Sequence, residues 1–337
     1  MMGQGQKAPS MPTRITEASR SVDSLYENRV ENNERMLQRV KASDDPDLDA
    51  ASWSKTLADL AMPALEGPFY SLSEVHATPR LVPLFPIWEH HMGAKERSCR
   101  NIVDLKDGEQ NESASSTQTH IPADTDRVIV LAGALQKRWP EQALKGGTSD
   151  FASAYNQETA CPHQAHLITI AQYDPIKMLI AFFLPLTQVF GARLAGLNFG
   201  RCANIGVYLL ATLFAAPADH CVDDVITLER ARFAHLVWRC WRRLAHLLGW
   251  NIPDEKSPEP SDLFKAIGVL VNLSLLPFGE AEIDILEDRA ELILNKIDSI
   301  LQSGHLYSGA AGSLVGVLGF MTGQRYRQHR PASSKQR

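Results

Sequence analysis

Cys221-Val222-Asp223-Asp224-Val225-Ile226 sets two adjacent carboxylates in an apolar context. Ala218 to Val222 before the pair and Val225 to Leu228 after it read as two strands, with the Asp-Asp pair at the turn of a hairpin. Asp is common in turns, so an incidental Asp-Asp turn accounts for the pair about as well as any chemistry does. The other reading starts from charge. Two carboxylates packed together and partly desolvated repel, and they take up protons unless a cation compensates. Mg2+ is the usual cation for clustered carboxylate oxygens.

Upstream, Arg127 to Trp139 reads as a helix ending near Pro140, and a short segment then runs through Lys145, Gly146 and Gly147 to Ser149-Asp150. The plainer role for Asp150 is a helix N-cap. A carboxylate at a strand end can also join a carboxylate pair on a neighbouring hairpin. Three carboxylates then hold two metal ions about 4 Å apart, one activating an attacking hydroxyl and the other steadying a leaving pyrophosphate.

The chain has 337 residues, 44% of them hydrophobic and 22% charged, which suits one large domain or several packed subdomains. The net charge of -5 counts mildly against a nucleic-acid enzyme, although phosphate contacts need a positive groove and not a positive average. Five scattered cysteines with no CxxC pair argue against a disulfide framework or zinc ribbon and for an intracellular setting, cytoplasmic or nuclear. The first thirty residues are polar and lack an apolar core segment, so no secretory signal is expected. The apolar windows Met178 to Phe190 and Ile205 to Ala216 are too short to span a bilayer and read as buried core, so no membrane is expected.

Residues 1–60 are polar and are expected to be a flexible tail or adaptor, with at most a solvated helix over Ser19 to Val40. Residues 62–95 carry Pro63, Pro68, Pro79, Pro83 and Pro86 and read as irregular extended chain. Further on, Phe190 to Phe214 reads as a long helix. Glu229 to Leu248 reads as an amphipathic helix with Phe233, Leu236, Val237, Trp241, Leu244 and Leu248 at helical spacing, closed by Gly249. Phe264 to Leu273 reads as a strand, and Ala281 to Leu301 and Gly309 to Phe320 as helices. The class is α+β.

Several of these segments resemble reverse transcriptases. Asp150-Phe151-Ala152-Ser153-Ala154-Tyr155 is similar to the D-x-x-x-A-Y palm motif, and Cys221-Val222-Asp223-Asp224 to the x-x-D-D hairpin. Phe190-Gly191-Ala192-Arg193 with Phe199 resembles the F-G-L segment and its later Phe. Arg100-Asn101-Ile102-Val103-Asp104-Leu105-Lys106 resembles the R-x-x-V-D-x-R fingers motif. Leu248-Gly249-Trp250-Asn251-Ile252, Lys256-Ser257 and Ile267-Gly268-Val269 resemble the last palm elements. The phrasing is nearest to retroelements of the DIRS or gypsy-like kind. The resemblance covers roughly residues 80–275 in family order.

It implies a right-hand polymerase with an antiparallel palm sheet: fingers over residues 80–145, palm over 146–275 and thumb-like helices over 280–322; composition alone makes residues 323–337, with Arg325, Arg327, Arg330, Lys335 and Arg337 and no acidic residue, a basic tail or a disordered end. Asp150, Asp223 and Asp224 would hold two Mg2+ or Mn2+ ions. Tyr155 would gate the sugar of the incoming dNTP, Arg100 would reach its triphosphate, and Phe151, Ala152, Phe190 and Gly191 would line its pocket. Lys256 would lie near the pyrophosphate. Partners would be an RNA or DNA template-primer and dNTPs. Plainer roles stand beside these: surface arginine, core or half-buried aromatic, helix entry, solvated loop lysine.

The sequence departs from the family at Cys221, where an aromatic residue is usual, at the Pro expected after Gly191, and at the fingers loop, where Lys95 and Arg97 are the nearest basic residues. No ribonuclease H domain is expected after residue 321. These departures motivate a second expectation, an inactive retroelement remnant that at most binds nucleic acid. Other groups point to packing or solvated faces: Cys161, His163 and His166; His90-His91; and Arg239, Arg242 and Arg243 among Trp238 and Trp241.

Overall fold

A computed structural model describes residues 17–89, 97–118 and 123–326, with side chains through Gly319. The His90-His91 pair, Lys95 and the tail from residue 327 onward lie outside the described residues. Along the chain the elements run α1 (Val22–Glu27), α2 (Arg29–Arg39), α3 (Pro46–Ala61), β1 (Leu65–Phe69), α4 (Leu72–Val75), β2 (Leu81–Glu89) and β3 (Ser98–Val103). There follow α5 (Thr125–Arg138), β4 (Leu144–Asp150), β5 (Thr169–Asp174), β6 (Leu179–Pro185), α6 (Ala195–Phe214), β7 (Ala218–Cys221), β8 (Asp224–Arg230) and α7 (Ala231–Leu247). The last are β9 (Leu263–Ala266), β10 (Val269–Asn272), β11 (Glu282–Ile285), α8 (Glu287–Ser303) and α9 (Ser308–Tyr326). The class is α+β, and the described residues fall into two compact units, one from 17–89, 98–118 and 155–198, the other from 123–154 and 199–326.

The first unit is a five-stranded sheet, β1-β6-β5-β2-β3, antiparallel except for the β2–β5 pair. Pro83 and Pro86, taken as marks of irregular chain, lie inside β2. That strand pairs with β5 only over Leu81 to Pro83 and with β3 only from Leu84 on, so each half has an open side for a residue without an N–H. Trp53, Val82, Leu84, Val103, Ile170 and Phe183 form its core.

Residues 22–61 correct the expectation of a flexible polar region: they form α1 to α3, with Leu25, Met36 and Trp53 buried. The reason is polar. Asn32 donates to the Leu81 carbonyl (3.0 Å), Asn33 donates to the Pro79 carbonyl (2.8 Å), and its Oδ1 accepts from Leu81 N–H (2.8 Å). Ser52 and Thr56 of α3 bond the buried side chain of Gln172. A count of apolar residues misses an attachment made by amides.

The second unit holds an antiparallel sheet in the order β4-β8-β7 and a hairpin-rich sheet β11-β10-β9. Ile226 and Leu228 of β8 pack with Val128, Ala132 and Leu135 of α5 and with Phe264, Val269 and Val271. Gly146 makes this possible, because a Cβ there would stand 2.5 Å from the Phe264 ring and 2.7 Å from Leu228. The single strand expected over Phe264 to Leu273 is instead the β9–β10 hairpin. It turns at Ile267-Gly268, both at positive φ as a type I′ turn requires.

Two further expectations are corrected. α7 buries Ala234, Val237, Trp241, Leu244 and Ala245 while Leu236 and Leu248 are exposed, since residue 236 lies about 100° round the helix from 237. In Ile205 to Ala216, Leu210 and Ala216 are buried, but Ile205, Tyr208, Leu213 and Phe214 are exposed. Among the described residues no helix is long and apolar enough to cross a membrane.

Candidate active site

The antiparallel register of β4 and β8 sets Asp150 directly across from Asp224, the last residue of one strand facing the first of the other. Cross-strand partners share a face of the sheet, and like charges so placed destabilise it. β7 and β8 join through a two-residue loop, Val222-Asp223, closed by the Cys221–Asp224 pair. Val222 has φ 54°, the first-position geometry of a II′ turn that glycine normally takes. A β-branched residue is strained there and is held by the pairing of the strands on either side.

The electrostatics follow from this crowding. Burial pushes the Asp224 carboxyl up to about 6, with Asp223 and Asp150 adding repulsion and Lys256 opposing it. Burial also raises Asp223; Asp150 adds to the rise, while a backbone hydrogen bond and Lys256 lower it. The Cys221 thiol is raised by burial and then by Asp224 and Asp223.

Lys256 supplies the positive charge. Its Nζ stands 2.6 Å from Asp150 Oδ2 and 3.4 Å from the Phe151 carbonyl. Behind it, the Ser257 hydroxyl lies 2.7 Å from that of Ser149, and Trp238 Nε1 donates to Ser257 Oγ and O at 3.1 and 3.2 Å. Among the described residues no three His, Cys, Asp or Glu side chains stand as a ready-made metal-holding group. The donor set itself fits a hard divalent cation: three carboxylates share a partly dehydrated patch in which their charges oppose one another.

The other expected site residues divide between the units. Phe151, expected to line a nucleotide pocket, is 1% exposed and packs edge-on against Phe199, Trp241 and Trp250; its side chain is core, which corrects that expectation. Ala152 is half-buried and its N–H donates to the Asn251 carbonyl at 3.1 Å.

In the first unit Arg100, Tyr155 and Phe190 come together. The Arg100 guanidinium lies 5.1 Å over the Phe190 ring, and the Tyr155 ring is 5.9 Å from Phe190. Arg100 is also ion-paired to Glu89 at 2.7 Å. Gly191 has φ 109°, and a Cβ there would stand 2.5 Å from the Val103 carbonyl, so glycine is required. Asn111 pins the loop, donating to the Gly191 carbonyl at 2.9 Å and accepting from Arg193 N–H at 2.8 Å. In the Cys161–His166 segment, His166 is buried, stacked on His76 and bonded to the Tyr26 hydroxyl, while Cys161 is exposed; both serve packing or surface.

No protein-family model matches the chain, and no curated protein matches it. Among solved structures it is similar to a foamy viral protease-reverse transcriptase in complex with dsDNA. That likeness has a TM-score of 0.52 and 11% identity, over 81% of this chain and 48% of the other. A second, to a Prototype Foamy Virus protease-reverse transcriptase mutant, has a TM-score of 0.49 and 12% identity, over 66% and 26% of the two chains.

The fold is reverse transcriptase-like.

The chain spans about half the length of the foamy viral enzyme it matches at 0.52, and the likeness is one of fold. Within this reverse transcriptase-like fold, the residues a sequence reading passes over are those that position others. Ser149 and Ser257 are the chain neighbours of Asp150 and Lys256, and their hydrogen bond fixes the spacing of that charged pair. Ser257 is marked in the sequence only as part of the Lys256-Ser257 segment and Ser149 only by adjacency to Asp150, and neither signal shows that the two hydroxyls meet. Glu89, which holds Arg100, and the left-handed Val222 left no mark at all.

Proposed function

We propose that the chain is a template-directed nucleotidyltransferase, an RNA-directed DNA polymerase that extends a primer 3′-hydroxyl with dNTPs. The observation that carries this reading is the cross-strand placement of Asp150 opposite Asp224, with Asp223 in the adjoining loop, on a reverse transcriptase-like fold.

On this reading Asp150, Asp223 and Asp224 hold two divalent cations, Mg2+ or Mn2+, which when bound lower the barrier to phosphoryl transfer by neutralising charge on the reacting oxygens. The rest is done by the chain itself. The strand pairing fixes two carboxylates on one face, and the strained Val222 turn presents the third. Partial burial weakens the screening of their charge by water, which strengthens their pull on a cation. In the other unit, Arg100 offers a guanidinium to phosphate oxygens, Tyr155 a phenol ring to a sugar, and Gly191 bare backbone beside Phe190. A template-primer of RNA or DNA is the proposed partner; the foamy viral structure holds dsDNA.

Primer extension tests the proposal directly. Purified protein with Mg2+ or Mn2+, a primed RNA or DNA template and dNTPs is expected to lengthen the primer, and Asp150→Asn is expected to stop it. A well-folded wild-type chain that leaves every primer at its starting length contradicts the reading. A second reading, a remnant that binds nucleic acid without copying it, is favoured by the Lys256 ammonium on Asp150. Retained template binding without extension would select it.

A further inference from the structure

A lysine on a loop has four rotatable side-chain bonds and ordinarily spreads over many positions; exposed pairs it makes contribute little. Lys256 is held differently. Its neighbour Ser257 is 1% exposed, and Ser149, the neighbour of Asp150, is 3% exposed. The two hydroxyls bond each other at 2.7 Å, and the Trp238 indole donates to Ser257. This buried bond sits one residue away from each member of the ion pair. It therefore clamps the two backbones that carry the pair and limits where the ammonium can go.

The ammonium stands on Asp150 Oδ2 at 2.6 Å, an oxygen of the same carboxylate that faces Asp224. A second cation needing that oxygen must move the first. Resting on the nucleotidyltransferase reading, we infer that Lys256 is the resident counter-ion of the carboxylate trio: the Ser149–Ser257–Trp238 latch holds it on Asp150, where it contends with a divalent cation. Lys256 then serves two ends. It offsets the cross-strand repulsion when the trio is empty of metal, and it weakens binding of a metal that comes alone. A metal arriving with the oxygens of a nucleoside triphosphate brings further ligands and displaces the ammonium more readily, which couples metal entry to nucleotide entry. Ser257 is a positioning residue in this scheme, acting only through Lys256.

The test is a titration with Mn2+ alone, read by the electron paramagnetic resonance of the free ion, on the full chain without nucleic acid. Lys256→Met is expected to bind Mn2+ about fivefold more tightly than wild type. Ser257→Ala, which keeps the charge and loosens its seat, is expected to shift affinity the same way by less. In an Asp150→Asn background, Lys256→Met is expected to tighten binding by much less, because the ion pair is gone and only the weaker attraction of Lys256 for Asp223 and Asp224 is left to remove. Thermal melting gives a second readout: the metal-free Lys256→Met protein melts below wild type and regains more on adding Mn2+. Equal Mn2+ affinity in folded wild type and Lys256→Met overturns the inference and leaves the polymerase reading standing. Absence of Mn2+ binding in both, up to millimolar metal, overturns the two together.

Discussion

Asp224 is a carboxylate whose ionisation opposes the fold. Its folded value of about 6 lies above the ordinary 3.8, so the native state binds a proton more tightly than the unfolded chain does. Stability from this group is thus fully present below about pH 4 and is lost as the pH rises towards 6 and beyond. A shift of about two units corresponds to roughly 2–3 kcal/mol at the upper limit. In metal-free buffer Asp224→Asn is expected to melt above wild type at pH 7 and close to it at pH 4. A gap of the same size at both pH values, or none at either, contradicts the assigned environment. Cys221, raised by burial and then by Asp224, Asp223, Asp124 and Asp219, stays a thiol at neutral pH. Limited alkylation followed by mass spectrometry is expected to label the exposed Cys161 well before Cys221; labelling in the reverse order would place Cys221 outside the carboxylate patch.

Among the elements, β4 and the β7–β8 turn carry the site, and each rests on one unusual residue. Gly146 lets the Phe264 ring lie against β4 and Leu228. Gly146→Val is expected to lower stability by roughly 1–3 kcal/mol through overpacking, read as a lower urea midpoint with an unchanged slope. An unchanged midpoint would mean β9 does not press on β4 as described. At the turn, Val222→Gly relieves a β-branched residue at φ 54° and is expected to leave stability equal or higher by up to about 1 kcal/mol, despite glycine's entropy. A clear loss would show that the valine side chain, and not the turn, is what matters there.

How well each element could be read from sequence follows from what forms it. The Asp-Asp hairpin and α7 were legible because alternation and helical spacing are written in consecutive residues. The sequence allows a helix over Ser19 to Val40, where α1 and α2 lie, but α3 and the packing of these helices are not legible in it, because Asn32, Asn33, Ser52 and Thr56 attach them through hydrogen bonds to distant strands. β2 was missed because its prolines are tolerated only by a change of partner that local sequence does not encode.

For the whole molecule, the α+β class and the reverse transcriptase-like fold agree with short motifs spread over much of the chain. Asp150 and Asp224 are far apart in sequence and meet only through strand pairing, so their convergence was inferred from a resemblance and not from any local pattern. The same gap between sequence and space hid the serine pair behind Lys256. It also hides that Phe151 is core, since a residue beside a candidate site carboxylate can as easily anchor the strand end in the core. The central claim is that the three carboxylates grip divalent cations for nucleotidyl transfer. Anomalous diffraction from crystals grown with Mn2+, a primed template and a non-hydrolysable dNTP tests it most directly. The account predicts anomalous peaks within coordination distance of Asp150, Asp223 and Asp224, with Lys256 moved off Asp150; peaks lying only elsewhere, with the Lys256–Asp150 pair intact, would contradict it.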